Sequence, residues 1–433
     1  MRKIRASFMV AAALYVSGNG AQAADLVTVV QQALGHDADL AQARAAYVAA
    51  QEAVPQARAA LLPQLSGGWG RTYNSIAMEG FPRQSYWQNG WTVSLTQPLF
   101  DWTKWTSYRQ ADYVEARGRV DVDNAQQTAL TRAVRAYFDE LAAEDEIKRA
   151  DDYAAAVDAQ LLILQRNRAA GEATIVDMRE ALTMREQVAL QQSDAQNALQ
   201  TKRRVVELVT GVPFGALSRL PESLALPRLA PEDVDAWAAQ AKEHGYAVQQ
   251  KQLDWQIAKL DVSKAEGAHY PSVYATGSYT PAGAASGYAR PTTTTTGMLS
   301  ISIPLYAGGA VQSKVRETEA LLERAQAALV GATRTADASA RDNYARYQQG
   351  RTRVDLLTHL VASCRDTLAA TRIGYKVGTR TSTDVLRAID ALYTTQRDLF
   401  VARYDTIVAL MQLKGDTSTL SLTDVVQINA VLH

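Results

Sequence analysis

One cysteine in 433 residues, Cys364, rules out an intramolecular disulfide and any cysteine-based zinc cluster. Net charge is missing too: 45 basic side chains balance 45 acidic ones, which leaves no electrostatic footprint for a nucleic-acid partner. Glycine (25) and proline (12) are too sparse for a collagen-like or low-complexity chain. A hydrophobic content of 47% with 21% charged residues excludes global disorder. Catalytic signatures are absent as well. There is no G-x-S-x-G elbow, P-loop, H-E-x-x-H or strand–GxGxxG–helix unit. The histidines (His36, His244, His269, His359, His433) lie far apart without ligand spacing. The stretch 283–287 has loop composition and no phosphate-binding context. No enzyme, cofactor or metal site is expected.

What is present starts at the N-terminus. Arg2, Lys3 and Arg5 precede an apolar stretch over 6–16 and an Ala21-Gln22-Ala23 site. That is the layout of a secretory signal peptide over residues 1–23, too short for a membrane-spanning helix. Its removal takes away three bases and no acid, leaving 42 basic against 45 acidic residues. No cysteine stands near the cut to carry a lipid anchor. Beyond it, no stretch supplies the ~18 uninterrupted apolar residues of a transmembrane helix. The exported chain is therefore expected to be soluble or inserted as a β-barrel, which in a Gram-negative cell means periplasm or outer membrane.

The chain also contains itself twice. Pro63-Gln64-Leu65 recurs as Pro271-Ser272-Val273, and Pro98-Leu99-Phe100 as Pro304-Leu305-Tyr306. Ala136-Tyr137-Phe138 has a loose partner in Asn343-Tyr344-Ala345. Gly171, Thr174 and Asp177 recur as Gly378, Thr381 and Asp384, each 207 residues later. The expected domains are a first repeat over 24–212, a proline-containing linker over 213–234, a second repeat over 235–415 and a C-terminal segment over 416–433.

Each repeat reads as helix, two short strands, a very long helix and a return helix. Strands are expected at 65–74, 87–97, 272–280 and 294–303, where Val93 and Leu95, then Leu299, Ile301 and Ile303, alternate with Ser and Thr. Each run approaches the ~9–11 residues of a tilted membrane strand. Trp69, Trp87, Trp91, Trp102 and Trp105 gather there. They fit either an interfacial aromatic girdle or the core of a small soluble β subdomain.

Helices without proline are expected over 102–168 and 309–375. In the second, Val354, Leu357, Val361, Cys364, Leu368, Thr371 and Tyr375 step by alternating threes and fours, the seam of a coiled coil. A second apolar edge beside that seam suggests neighbours on two sides. Four strands cannot close a membrane barrel, since the smallest have about eight, so membrane insertion demands more than one chain. The alternative is a soluble periplasmic coiled-coil scaffold or adaptor.

Several motifs carry a resemblance across nearly the whole mature chain. They are Ala24-Asp25-Leu26 with Gln31-Gln32-Ala33, Leu61-Leu62-Pro63-Gln64-Leu65, and Gln97-Pro98-Leu99-Phe100-Asp101. Pro304-Leu305-Tyr306-Ala307-Gly308-Gly309 and Gly374-Tyr375-Lys376-Val377-Gly378-Thr379-Arg380-Thr381 complete the set. In this order the chain resembles the TolC family of outer-membrane channel-tunnels.

The resemblance implies a mainly α fold with a small β part. Duplicated coiled-coil helices would form a trimeric α-helical barrel, and four strands per chain would join a shared twelve-stranded transmembrane β-barrel. It implies a passive exit duct in outer-membrane lipid, recruited for efflux or type I secretion by a periplasmic adaptor (membrane fusion protein) and an inner-membrane ABC or proton-driven transporter. Asp177, Tyr375 and Arg380 match the residues that tie the coiled coils together in the closed state, and Asp384 matches an acidic ring across the threefold axis. Gly171, Val377, Gly378 and Thr379 match the adaptor-docking turns, where Glu172 is a departure. Arg387 stands where the best-known pattern has a second aspartate, and it is spaced to pair with Asp384 at i, i+3. Thr174-x-x-Asp177 and Thr381-x-x-Asp384 also read simply as helix capping boxes, a role that does not exclude the other.

Overall fold

Period-two alternation makes the strands of this protein, and proline-free 3.5-residue periodicity makes its long helices. The computed structural model describes residues 24–219, 221, 226–281 and 293–430. The expected signal peptide, 1–23, and the stretch 283–287 lie outside the described residues. In chain order the first half holds α1 (Leu26–His36), α2 (Ala38–Gln51), α3 (Ala53–Ala59), β1 (Gln64–Ile76), β2 (Gln84–Phe100), α4 (Trp102–Ala169) and α5 (Ile175–Thr210). The second half holds α6 (Val234–His244), α7 (Tyr246–Glu266), β3 (Ser272–Pro281), β4 (Thr293–Ser302), α8 (Ala310–Lys376) and α9 (Ser382–Asp416), followed by α10 (Leu422–Asn429).

The strands form one antiparallel sheet in the order β1-β2-β3-β4, so β2 and β3 join the two halves. Directly paired residues share a face, and the register sorts them by polarity. Leu65 pairs with Leu95, Trp69 with Trp91 and Tyr73 with Trp87; Ala275 pairs with Leu299 and Val273 with Ile301. The opposite face carries Ser66 against Ser94, Thr72 against Gln88 and Ser278 against Thr296. The apolar face is bare, with Leu65 72% and Trp69 71% exposed. A soluble β subdomain would bury those rings, so this sheet has the pattern of a barrel wall seen in isolation. Arg71, the cation on that face, lies over the Trp87 ring at 4.5 Å.

At the foot of the sheet the register slips between Pro98 and Phe100. Proline has no N–H for the ladder, and the bulge turns the chain toward α4. Asp101 then caps that helix, accepting from the Lys104 N–H at 3.1 Å. The same carboxylate accepts the Tyr274 hydroxyl at 2.6 Å and so ties the junction to β3.

Helices α4 (68 residues) and α8 (67 residues) are each ~100 Å long at 1.5 Å per residue. Gly118 sits inside α4 because α2 crosses there; a Cβ would lie 3.0 Å from that of Ala50. The expected α8 seam is the buried stripe: Val354, Val361 and Leu368 are fully covered against α9, with Cys364 half-buried between them. Each such side chain contributes about 1.5–3 kcal/mol. The second edge stays bare, with Leu356, Leu360 and Ile373 exposed. No described helix is long and apolar enough to cross a membrane.

Midway along the shaft, Tyr137, Phe138 and Tyr347 are fully buried and form a waist. Two tyrosines pin the linker there. The Tyr137 hydroxyl donates to the Ser218 carbonyl at 2.8 Å, and that of Tyr347 donates to the Pro227 carbonyl. Burial pushes the Tyr347 hydroxyl up to about 12, so it stays a donor at any ordinary pH. Sequence offset pairs Tyr137 with Tyr344, but the residue that repeats its role is Tyr347, one turn further on. Tyr344 is half-buried and accepts from Gln348 instead.

Candidate functional site

At the end of the shaft opposite the sheet, each long helix turns back through a short loop. The α4 end closes with Glu172 N–H donating to Asn167 O at 2.8 Å, and the α8 end with Thr379 N–H donating to Gly374 O at 2.8 Å. Both turns place glycine in the left-handed region, Gly171 at φ +82° and Gly378 at φ +79°. A Cβ at either would meet nothing within 4 Å, so the demand is purely conformational. Three residues later each return helix starts with a reciprocal capping box. The Asp177 N–H donates to Thr174 Oγ1 at 3.1 Å, and the Asp384 N–H to Thr381 Oγ1 at 3.2 Å. Each carboxylate in turn accepts its threonine's backbone N–H at 3.0 Å.

Those bonds from Thr381, with smaller contributions from the Arg380 and Arg387 charges, hold the Asp384 carboxyl below the usual aspartate range. Arg387 is exposed one turn along α9. It acts on Asp384 through space and closes no direct ion pair with it within 4.0 Å.

Between the two tips runs a cleft of about 860 Å³, lined by Asp177, Tyr375 and Arg380 together with Asn167. Three of the five expected gate residues thus line one cleft, whereas Asp384 and Arg387 do not. The direct tie across it is different: the Asn167 side-chain N–H donates to the Tyr375 hydroxyl at 3.1 Å. Arg380 lays its stem over Gly374, where a Cβ would come within 2.8 Å of Arg380 Cγ. On the return helices, the Thr383 hydroxyl donates to Glu180 at 2.6 Å. Two further bonds tie α9 to α4 higher up, Tyr153 to Asp390 at 2.8 Å and Tyr404 to Asp145 at 2.6 Å.

Asn167, Thr383 and Glu180 escape sequence reasoning, since nothing local announces a partner some 200 positions away. Gln160 does carry a signal. Tyr153, Val157, Gln160, Leu164 and Asn167 step by fours and threes along α4, so a polar residue interrupts a seam.

Of the residues expected at the docking turns, Val377 is 68% exposed, and Gly171, Gly378 and Thr379 are exposed as well. Trp69, Trp87 and Trp91 stand exposed on the strands. Trp105 is exposed on the first turns of α4, whereas Trp102 is half-buried, donating to Ser263 Oγ at 3.3 Å and lying edge-on to Tyr270.

A family model described as "Outer membrane efflux protein" matches residues 29–212 and 237–415, most of the chain. The chain belongs to the outer membrane efflux protein family. Among curated relatives, the outer membrane protein TolC of Vibrio cholerae is 28% identical over all of this chain and 99% of its own length. The proteases secretion protein PrtF of Dickeya chrysanthemi is 27% identical, covering 98% of this chain and 95% of that protein. In fold, the outer membrane protein VceC of Vibrio cholerae superposes with a TM-score of 0.80 at 18% identity, over 91% of this chain and 96% of that one. As a member of this family the protein is an outer-membrane exit duct for efflux or secretion. Its helices extend into the periplasm and its strands supply part of a β-barrel.

Proposed function

We propose that three copies assemble around one axis, pooling four strands each into a twelve-stranded barrel and their long hairpins into a helical tunnel. The observation that carries this reading is the sheet with a bare apolar face and two unpaired edges, β1 and β4. Open edges are not tolerated in hydrocarbon, so each edge must find a neighbour's. The exposed apolar edge of α8, at Leu356, Leu360 and Ile373, supplies matching contact along the shaft. Trp69, Trp87, Trp91 and Trp105 would then sit against outer-membrane lipid.

The hairpin tips form the periplasmic gate. Tyr375, tied to Asn167, holds the two coiled coils of each protomer together across the cleft that Arg380 and Asp177 also line, and Asp384 with Arg387 faces the axis. With three bases set among three acids, the constriction is a weak cation selector. Gly171, Val377, Gly378 and Thr379 offer exposed tips to a periplasmic adaptor (membrane fusion protein), which links the duct to an inner-membrane ABC or proton-driven transporter. Catalysis plays no part in this reading; the transporter supplies the energy and chooses the cargo.

The decisive experiment is carbonate extraction followed by mass measurement of the detergent-solubilised protein. A membrane-retained trimer is expected, and a carbonate-soluble monomer would end the proposal.

A further inference from the structure

The four strands carry a single charged side chain, Arg71, and it stands on the apolar face. Its partner across the ladder is Asn89. The row below, toward the helices, is Trp69 with Trp91; the row above, toward the β1–β2 turn, is Tyr73 with Trp87. All six side chains are exposed. Stacking on Trp87 at 4.5 Å uses the flat face of the guanidinium and leaves its fork of N–H donors free. Arg71 closes no ion pair and donates no side-chain hydrogen bond among the described residues. Glu79, the one acid of this hairpin, lies in the turn beyond the last paired residues. A neighbour's β4 on the open edge of β1 would bring no acid either, since Thr293–Ser302 holds only Thr, Gly, Met, Leu, Ser and Ile.

The depth of this cation follows from strand geometry. Asp101 is the first charge below the sheet, so the apolar band starts near Phe100. From Phe100 up β2 to Asn89 the strand climbs ~36 Å at ~3.3 Å per residue. With a barrel tilt of ~40° that is ~28 Å along the membrane normal, against an apolar band ~25 Å tall. Arg71 therefore sits just past the hydrocarbon, at the level of an aromatic girdle. The helices occupy the periplasm, so this is the outer leaflet.

We propose that Arg71 and Asn89 form a binding site for the phosphorylated glycolipid of the outer leaflet. The Arg71 fork takes a lipid phosphate, Asn89 bonds beside it, and Trp69 and Trp91 lie against the acyl chains below. Tyr73 and Trp87 stand above the phosphate level, 54% and 49% exposed, where they meet sugar rather than the short headgroup of a phospholipid. Stacking on Trp87 alone would account for an arginine that stiffens the hairpin. It does not account for placing the only strand charge on the lipid-facing side, at headgroup height and without an acid. The site rests on the barrel reading above.

The test is native mass spectrometry of the purified protein in detergent, titrated with bis-phosphorylated lipid A. Dephosphorylated lipid A, phosphatidylglycerol and inorganic phosphate serve as comparisons. One lipid A per chain is expected at saturation. Affinity should fall more than fivefold when the lipid lacks its phosphates, and as far in Arg71→Gln, which breaks no ion pair and so should fold. Arg71→Lys, which keeps the charge but loses the planar fork, should bind about two- to threefold more weakly than the wild type. Equal binding to Arg71→Gln, to dephosphorylated lipid A or to phosphatidylglycerol would overturn the proposal. Displacement by millimolar inorganic phosphate would overturn it in favour of a free anion. The same spectra report the number of chains, so a trimer without bound lipid A removes this site alone, whereas a monomer removes the barrel on which it rests.

Discussion

The α4–α5 tip reads Ala170-Gly171-Glu172-Ala173-Thr174, and the α8–α9 tip reads Val377-Gly378-Thr379-Arg380-Thr381. Their backbones are near copies: the same left-handed glycine, the same reciprocal cap three residues later. Their side chains differ in kind. The first tip carries an exposed acid at Glu172; the second carries Arg380 folded over Gly374 and Arg387 a turn beyond the cap. Duplication kept what turn geometry requires and released what it does not.

Substitutions can separate the shared part from the divergent one. The largest effect should come from the second tip: Tyr375→Phe/Arg380→Ser frees the Asn167 tie and the cleft wall, and single-channel conductance should rise several-fold. Matched changes in the first tip, Glu172→Ala/Asp177→Asn, should leave conductance within a factor of about two, with the cap loss worth only ~1 kcal/mol. Equal opening by both pairs would mean that the tips are not functionally distinct.

The caps should behave alike. Thr174→Ala and Thr381→Ala are each expected to cost about 1 kcal/mol of thermal or chemical stability, and a large inequality between them would break the backbone equivalence. Charge at the axis comes next. Arg387→Asp should shift the bilayer reversal potential toward cations and bring block by multivalent cations, whereas an unchanged reversal potential would place Arg387 away from the bore.

Acid gives a smaller and later effect. Because its folded pKa is lowered, the contribution of Asp384 is complete above the ordinary aspartate value of ~3.9 and is lost only as pH falls through the lower one. Conductance should therefore stay flat from about pH 7 to pH 5. A rise within that window would assign the acid response to another group. Smallest of all, Glu172→Ala should leave stability within about 0.5 kcal/mol, as exposed substitutions do, and alter only which adaptor crosslinks most efficiently.

Much of this fold was legible because it is written in local periodicities. Alternation located β1 to within two residues, and the missing prolines located α4 and α8 to within one. The strand β2 runs longer than its alternation of Val and Leu implies, since Tyr86, Ser85 and Gln84 continue the ladder against 74–76. Gly171, Gly378 and both caps were legible for the same reason: each is a self-contained turn. The tie from Asn167 to Tyr375 was not, because it depends on the axial register of one hairpin against another. Gln160 lay between these cases; its polarity in an apolar seam was visible, but the burial of its amide nitrogen without a hydrogen bond was not.

The tyrosines that pin the linker at the waist have a mechanical consequence. From Tyr347 to the end of α8 at Lys376 the helix runs ~44 Å at 1.5 Å per residue. A tilt of ~10° about that fulcrum would carry the tip through ~8 Å by the same geometry. Were the tip contacts released, the waist would be the pivot of a lever. Motions too small to disturb its packed core would be multiplied at the far end.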